Sequence, residues 1–444
     1  MYFPHSPLYN LNIIYRNCYI TYKKESVMKM EKSAKQLRKE RENRIMDAIH
    51  LKPTDRVPVL SAIGYFPAKY AGIPCSAAYY DFDAWYAAYQ KTLQDFQPDM
   101  IFQQGFTPGK ALEILNPKQM KWPGHGVDPY QGHQSIEIDN MKADEYDLYM
   151  NDTSDYMFRT FMSRTSENLE GLSLLPNLSE LGGGPMGIQA LAMAFSEPKL
   201  DKAIRTLQKA GREMRKWRGK MAKFNKMISD MGFPQYLQGA AMPPYDVISH
   251  SLRGMSGTMI DMFRQPDKIV EMCEFILKKT LERPMPRPNE YGNTRMFMTN
   301  TRGSDEFMSM KQFQKFYWPT FKKLVMGLIK KGATPCIFFE GNFTSRLEYL
   351  LEFPKGKLLA RFDTTDIFRA KEVLKDHVCI EGNVPSSLLQ VGTVKDVKDH
   401  CKKLIDVVGK GGGYILSPRS STDEVKPENL KAMIEFTKEY GVYR

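Results

Sequence analysis

The chain has 444 residues, of which 42% are hydrophobic and 12% aromatic, which is enough apolar material for a large core and excludes a disordered chain. Its formal net charge is +12, yet the basic residues are spread along the sequence. The one concentrated run, residues 32–44, we interpret as the solvated face of a helix. No aromatic-interleaved basic motif accompanies the charge, which argues against nucleic acid and leaves an acidic protein or an anionic substrate as partner.

The six cysteines form no CxxC pair, which predicts a reducing cytoplasm and no disulfide framework. No apolar run is long enough to span a membrane, so we expect no membrane partner. Residues 1–30 carry no signal-peptide pattern, and Met28 and Met30 stand just before the first convincing helix. We therefore interpret residues 1–30 as a poorly structured extension from a mis-assigned upstream start, and residues 31–444 as a single domain.

Helices and short apolar strands alternate through the first two thirds of the chain. The predicted elements are, in order, a helix at 41–53, a strand at 56–64, a helix at 82–96, a strand at 99–105, a strand near 172–175, a Gly-rich turn at 182–185, and helices at 197–230 and 260–280. The Gly-rich turn lacks the GK[ST] or GxGxxG context of a phosphate-binding loop, so we expect a tight turn there.

The C-terminal third, which follows a strand at 294–303 and an amphipathic helix at 311–332, repeats one unit four times. The repeated unit is a strand, a polar tip and a helix, with the tips FFEGN, RFDTTD, IEGNVP and ILSPRSS. Such alternation predicts a parallel sheet with crossover helices, and about eight strands in all favour a barrel. The sequence thus predicts an α/β fold, a (β/α)8 TIM-type barrel with a helical N-terminal extension, whose strand tips meet at one mouth.

Glu340 ends the strand PCIFF and is the first candidate for chemistry, as a general acid, a metal ligand or merely an N-cap. Asn342 either orients Glu340 or serves the turn. Asp363 and Asp366 end the next strand, although Asp366 also suits a helix N-cap. We expect these four residues at the catalytic mouth. The residues expected to line the pocket at the ends of the first two strands are Tyr65, Gln103 and Gln104.

The C-terminal motifs resemble the uroporphyrinogen decarboxylase superfamily. Residues 377–405 carry a GN-x-P turn and a GT-x-(D/E)-V helix start, and GGGYILSP resembles the family's late strand. PPYDVISHSLRG at 243–254 resembles its central region. The resemblance covers most of the chain after about residue 40 and implies a TIM-type barrel with its site at the mouth. It also places Asp246 and His250 at that mouth, with an Asp246–Arg253 structural pair as the alternative.

True uroporphyrinogen decarboxylases, as the resemblance implies, carry an arginine pair in an early segment, an aspartate after the second strand and a late histidine. Here the early segment is SAIGYFPAKYAGI, the second strand ends in Gln103 and Gln104, and Ser420 stands about where the histidine would be. A tetrapyrrole polycarboxylate would lack its expected cationic partners.

Related thiol methyltransferases hold zinc with a His-x-Cys pair and a late cysteine. Those positions fall on Phe338, Glu340 and the region of Ser420. Without the sulfur ligands we do not expect zinc–thiolate chemistry. A divalent metal held by Glu340 stays an open alternative to a bare carboxyl group.

The resemblance therefore favours the corrinoid-dependent branch of the superfamily. We expect a methyltransferase that moves a methyl group from a small O- or N-methylated substrate to the cobalamin of a separate, small corrinoid protein. The first alternative is a decarboxylase of another carboxylated substrate. The second is a non-catalytic barrel that binds a tetrapyrrole or a corrinoid protein.

Overall fold

The computed structural model describes residues 32–102 and 105–443. The predicted extension, residues 1–30, lies outside these ranges, as do Gln103 and Gln104. The described strands are β1 Leu60–Ala62, β2 Met100–Phe102, β3 Met120–Pro123, β4 Gly126–Val127, β5 Gln134–Ser135, β6 Gly239–Ala240, β7 Arg295–Asn300, β8 Thr334–Phe339, β9 Leu359–Phe362, β10 Cys379–Glu381 and β11 Tyr414–Ile415.

Eight of the described strands are parallel and enclose one interior. Strands β6 to β11 pair in chain order, and β1 pairs with β2. A parallel bridge between Val59 and Leu416 joins β11 to β1. The seam between β2 and β6 is closed by side chains, because the Phe102 ring packs 5.1 Å from Phe297 and 6.3 Å from Tyr236. The fold is a TIM-type (β/α)8 barrel, as the alternating pattern predicts, and β3 to β5 form a small separate sheet.

Helices surround the barrel and extend above it. The described α-helices of at least eight residues are Ala34–Ile49, Phe82–Phe96, Pro185–Phe195, Pro198–Asp230, Met255–Arg264, Pro266–Glu282, Trp318–Lys330, Ile367–Leu374, Val394–Val407 and Pro427–Tyr440. The shorter ones are Phe66–Ala71, Ala77–Tyr80, Gly109–Leu115, Tyr146–Asn151, Thr153–Asp155, Met162–Thr165, Pro244–Asp246, Met310–Gln312 and Ser386–Val391. The π-helical turns are Tyr156–Phe161, Val247–Leu252 and Phe313–Tyr317, and the 3₁₀ helices are Glu167–Leu174, Leu178–Glu180 and Thr344–Glu352.

The first helix, Ala34–Ile49, closes the bottom of the barrel. It begins with a capping box between Ser33 and Gln36 and places Ile45 in the barrel interior. Glu42, 1% exposed, receives both terminal nitrogens of the fully buried Arg295 at 2.7 and 2.9 Å. The helix is therefore part of the barrel's lower wall.

The interpretation of residues 32–44 as a solvated face agrees with the exposed Lys32, Lys35 and Lys39 but is wrong for Arg41, Glu42 and Arg44. Arg41 is buried and donates to the Gly232 carbonyl, and Arg44 pairs with the buried Asp99 at the start of β2. These arginines are fixed by the carboxylates and carbonyls that surround the strand starts.

The strand predicted near 172–175 is also wrong. That region is the 3₁₀ helix Glu167–Leu174, because Leu169, Leu172 and Leu175 pack together against the long helix Pro198–Asp230. Leucines three residues apart share a face of a 3₁₀ helix, and the strand pattern was read from their apolar run alone. The missing barrel strand is the two-residue β6. No helix in the described part of the chain is long and apolar enough to cross a membrane.

Candidate active site at the barrel mouth

Alternation along the strands decides which side chains face the barrel interior. On β8, Cys336 and Phe338 point inward, and Glu340 follows on the same side just beyond the strand end. Cys336 is buried against the bottom helix Ala34–Ile49, Phe338 is half-buried, and Glu340 is exposed. The exposure of these three side chains increases from the closed bottom of the barrel to its open mouth, and the structure places Glu340 at the mouth.

Glu340 is held at the rim by a neighbouring strand. The Thr301 hydroxyl, which follows β7, donates to Oε2 of Glu340 at 3.0 Å, and the Glu340 amide donates to the Asn300 carbonyl at 3.1 Å. Within the described residues, Thr301 is its side-chain hydrogen-bond donor. These two hydrogen bonds fix the position of Glu340, and because the residue is exposed, its other carboxylate oxygen can contact a molecule in the mouth.

Three phenylalanine rings form an apolar surface below Glu340. Phe102, Phe297 and Phe338 are each only half-buried although they point into the barrel, so the upper interior is open to a ligand. The rings of Phe102 and Phe297 lie 5.1 Å apart, and the Arg361 guanidinium stacks 4.9 Å above the ring of Phe338. Such a surface suits the face of a planar or methylated group.

A buried acid and an arginine stand beside these rings. Glu381, at the end of β10, is fully buried, with its Oε1 3.4 Å from Nε of Arg361 and its Oε2 3.3 Å from the Tyr236 hydroxyl. Arg361 also donates to the Pro418 carbonyl at 3.2 Å. Burial raises the pKa of Glu381, with Arg361 acting in the opposite direction. The raised pKa of a carboxyl group in a barrel interior marks a candidate site residue.

Sequence reasoning did not select Arg361 or Glu381 for the site. The available signal was a charged residue inside an otherwise apolar strand, LARF and CIE. A second signal was the repeated Glu-Gly-Asn, at residues 340–342 and again at 381–383.

Asp363 connects three strand tips at the rim. Its Oδ2 accepts from the Gly341 amide at 3.2 Å, and Nε of Arg419, beyond β11, lies 3.8 Å from its Oδ1. Its own carbonyl accepts from the Asn383 side chain at 3.0 Å. Asp363 is therefore beside Glu340 in the mouth, although its measured contacts are structural.

Asn342 and Asp366 occupy capping positions. The Asn342 side-chain oxygen accepts from the amide and hydroxyl of Thr344 at 3.0 and 2.6 Å, which fixes the turn after β8. Asp366 accepts from the amides of Phe368 and Arg369 at 3.0 and 3.1 Å and is the N-cap of the helix Ile367–Leu374. The side-chain oxygen of Asn342 and one carboxylate oxygen of Asp366 thus accept hydrogen bonds from groups two or three residues further along the chain. Each residue shapes a loop near Glu340.

The residues expected to bind substrate are dispersed. Tyr65 is buried, its hydroxyl 2.8 Å from the Tyr79 hydroxyl and 2.9 Å from Nδ1 of His133, and burial raises its pKa so that the phenol stays protonated. Ser420 lies in the loop after β11, its hydroxyl 2.8 Å from that of Ser386.

Asp246 is fully buried behind the loop that follows β7 and does not face the mouth. It accepts from the Tyr317 hydroxyl at 2.6 Å and from the Arg302 amide at 3.1 Å, and burial raises its pKa to about 7. The exposed His250 lies on the other side of that loop, with Nδ1 3.3 Å from the Arg302 guanidinium. Arg253 pairs with Asp261 rather than Asp246, so the expected Asp246–Arg253 pair is not formed.

A metal site is not assembled from these side chains. Among residues 32–102 and 105–443, no group of three or more His, Cys, Asp or Glu side chains is placed to hold an ion. The side chains that hydrogen-bond to residues 340–342 include Thr301, Asp363 and Glu306, which offer oxygen donors and no nitrogen or sulfur donor. We therefore derive no metal-dependent step.

Comparison with known proteins identifies the part of the chain that carries this mouth. Residues 221–440, which contain β6 to β11, match the family described as uroporphyrinogen decarboxylase (URO-D). The matched segment is 220 residues of the 444-residue chain, so the similarity to this family concerns the C-terminal half of the chain. Glu340, Arg361 and Glu381 all lie inside the matched segment.

The sequence identity to curated relatives is low, and the aligned segments are short. The chain is 26% identical over 140 residues to a uroporphyrinogen decarboxylase from Chlorobium phaeobacteroides and 27% identical over 137 residues to one from Chlorobium phaeovibrioides. Each match covers 30% of this chain and spans only 39% or 38% of the relative.

A solved structure resembles the chain over almost all of its length. The methyltransferase from Methanosarcina mazei has a TM-score of 0.54 and 14% sequence identity, and the match covers 92% of this chain and 99% of that one. At this identity the likeness concerns the fold. It shows that the helical additions as well as the barrel have a counterpart in a solved protein.

Proposed function

We propose that this protein is a methyltransferase that transfers a methyl group from a small O- or N-methylated substrate to a corrinoid carrier protein. The observation that carries the proposal is an exposed carboxylate, Glu340, fixed by Thr301 above a half-buried surface of three phenylalanine rings. Support comes from the methyltransferase of Methanosarcina mazei, whose fold resembles this chain over 92% of its length.

In this proposal the phenylalanine rings hold the apolar body of the substrate and Arg361 fixes its polar end. The bond that breaks joins the methyl carbon to an oxygen or nitrogen. When bound through its carrier, the reduced corrinoid supplies the cobalt nucleophile that accepts the methyl group. The Glu340 carboxyl group takes up a proton from solvent at the open mouth and passes it to the oxygen or nitrogen that would otherwise depart as an anion. The carboxylate that remains is reprotonated by water. The barrel thus contributes orientation and leaving-group activation.

The test uses purified protein, a reduced corrinoid protein and a panel of methoxylated aromatic compounds and methylated amines. Methyl-cobalt formation is followed by its absorbance change. Because general acid catalysis contributes roughly 10²–10⁴-fold, Glu340→Gln should reduce the rate by about that factor. Glu348→Gln is the matched control, since Glu348 is exposed and pairs with Arg369 on the helical outer layer. An unchanged rate in Glu340→Gln would remove the assigned role.

A second candidate function, decarboxylation, is favoured by one observation. Arg419 lies at the mouth beside Asp363, and Arg361 lies one level below it beside the phenylalanine rings, so either guanidinium could hold a substrate carboxylate. Release of carbon dioxide without cobalt from a panel of aromatic and aliphatic acids would favour this function. Binding of a tetrapyrrole or corrinoid protein with no turnover in either assay would instead favour a binding barrel.

A further inference from the structure

The expectation that the basic residues are spread along the chain, with residues 32–44 as the one concentrated run, is wrong, because one helix accounts for most of the net charge. The 33-residue helix Pro198–Asp230 carries eleven lysines and arginines and three acidic residues, a net charge of +8 in a chain whose total is +12. Its apolar side chains pack inward. The exposed outward row is basic at spacings of mostly three and four residues: Lys202, Arg205, Lys209, Arg212, Lys216 and Lys223. Of these, only Arg205 and Lys216 make ion pairs with described residues, through Asp201 and Glu213.

Two contacts of this helix relate it to the barrel, one at the bottom and one near the end of β2. At its C-terminal end the Ser229 carbonyl accepts from Arg38 of the bottom helix at 2.6 Å. Further up, the Trp217 indole donates at 2.5 Å to the carbonyl of Phe106, which follows the upper end of β2. Trp217 is thus level with the rim. The 19 helical residues before it, 198–216, span about 28 Å along the helix axis at 1.5 Å per residue.

An exposed apolar helix precedes these residues. In Pro185–Phe195, Met186, Ile188 and Met193 are 80%, 71% and 73% exposed, and Gly187 is its one buried residue. We call this helix together with residues 198–216 the outer arm. Apolar side chains exposed to this degree on a short helix indicate an interaction surface.

The arrangement of these side chains indicates what covers them. At 100° per residue, Met186 and Met193 lie on one side of the helix and Ile188 and Phe195 on the opposite side. A helix that lies in a membrane surface buries a single apolar side, whereas apolar residues on two opposite sides are covered only by a partner that encloses the helix. A second copy of the chain would bring two equally basic helices together, which like-charge repulsion opposes. The basic row instead matches an acidic protein.

We propose that the outer arm is the docking surface for an acidic carrier protein, whose reactive group it directs to the barrel mouth. This proposal rests on the methyl transfer proposed above and names the surface that the carrier uses. The apolar helix enters a groove of the partner, and the basic row steers and orients its approach. Steering of this kind accelerates association and weakens as salt is added.

The test compares two acceptors. The rate of methyl transfer is measured against the concentration of a purified acidic corrinoid protein and, separately, with free reduced cobalamin, which needs no docking. The arm variant is Lys209→Glu/Arg212→Glu. The matched control is Lys398→Glu/Lys403→Glu, which reverses two exposed lysines on the helix Val394–Val407. Met186→Ser/Met193→Ser tests the apolar part, and Lys209→Gln/Arg212→Gln replaces the arm variant if reversal impairs folding.

We expect the arm variant to raise the carrier concentration for half-maximal rate by about tenfold or more at low salt, with a reduced salt dependence. The control and all rates with free cobalamin should stay unchanged. Arm and control variants that behave alike with the carrier would overturn the proposal. The proposal would also be overturned if the arm variant responded normally to the carrier and instead lost binding to vesicles with 30% phosphatidylglycerol, or lost self-association.

The two proposals fail in different ways. If the unmodified protein transfers methyl groups to neither acceptor, the proposed function is wrong. The docking surface is then judged by direct binding of the carrier in sedimentation experiments. Loss of that binding in the arm variant but not in the control supports the surface, and equal binding overturns it.

Discussion

Asp246 should make the stability of the protein depend on pH, because its carboxyl group is fully buried without a directly paired cation. Burial raises its pKa from 3.8 to about 7, and hydrogen bonds from Tyr317 and the Arg302 amide offset only part of this effect. The folded protein therefore holds a proton that the unfolded chain releases. The stabilisation is fully present below about pH 4 and is lost as the pH rises to about 7.

The size of the effect follows from the shift. Each pKa unit corresponds to about 1.4 kcal/mol, so a rise from 3.8 to about 7 costs roughly 4 kcal/mol of unfolding free energy once Asp246 ionises. Asp246→Asn keeps a hydrogen-bond acceptor and removes the ionisation. We expect the variant to be less affected by pH, so that its stability relative to the unmodified protein increases by about that amount between pH 4 and pH 8.

Urea unfolding at half-unit steps of pH measures this difference. Asp267→Asn, on an exposed residue in the first turn of the helix Pro266–Glu282, is the matched control and should follow the unmodified protein. Parallel profiles for Asp246→Asn and the unmodified protein would refute the reasoning, since they would show that Asp246 is ionised in the fold at no cost.

Two further substitutions test structural assignments. Arg295→Met leaves Glu42 buried without its cation and should lower the unfolding free energy by about 3–5 kcal/mol. Urea unfolding at pH 7 measures this loss. A loss below about 1 kcal/mol would contradict the role of this pair in closing the barrel bottom. Asp366→Ala removes an N-cap and should lower the unfolding free energy by about 1 kcal/mol, measured by thermal unfolding, with little effect on methyl transfer. A large loss of activity at unchanged stability would instead indicate that Asp366 acts in catalysis.

The barrel was predictable from the sequence because its strands follow a repeated sequence pattern. Strands such as PCIFF and LARF are short apolar runs that stop at a polar tip, and parallel pairing follows from the helices between them. The two-residue strand β6 was missed because Gly239 and Ala240 carry no apolar period. The run at 172–175 was mistaken for a strand because leucines in a 3₁₀ helix and in a strand give similar local patterns, and only packing against the long helix distinguishes them.

The candidate site was predictable in position but not in composition. Strand tips located Glu340 and Asp363 at the mouth, since parallel strands end at one side of a barrel. Asn342 and Asp366 stand at equivalent tips, but their oxygens accept backbone hydrogen bonds two or three residues further on, a local competition that sequence spacing leaves open. Arg361 was overlooked because it lies inside a strand, where a side chain's direction depends on the register with its neighbours.

Register also explains why two Glu-Gly-Asn turns place their acids in different surroundings. Arg361 pairs in register with both Phe338 of β8 and Glu381 of β10, so Glu381 lies at the level of Phe338. Glu340 comes two residues after Phe338, which raises it by about 7 Å along the barrel axis. The lower acid is thereby enclosed by Arg361 and Tyr236, and burial raises its pKa, while the upper one reaches solvent beside Thr301. The same three residues thus place one acid against an arginine in the interior and the other at the solvent-exposed mouth, because Glu340 stands one inward-facing position higher than Glu381.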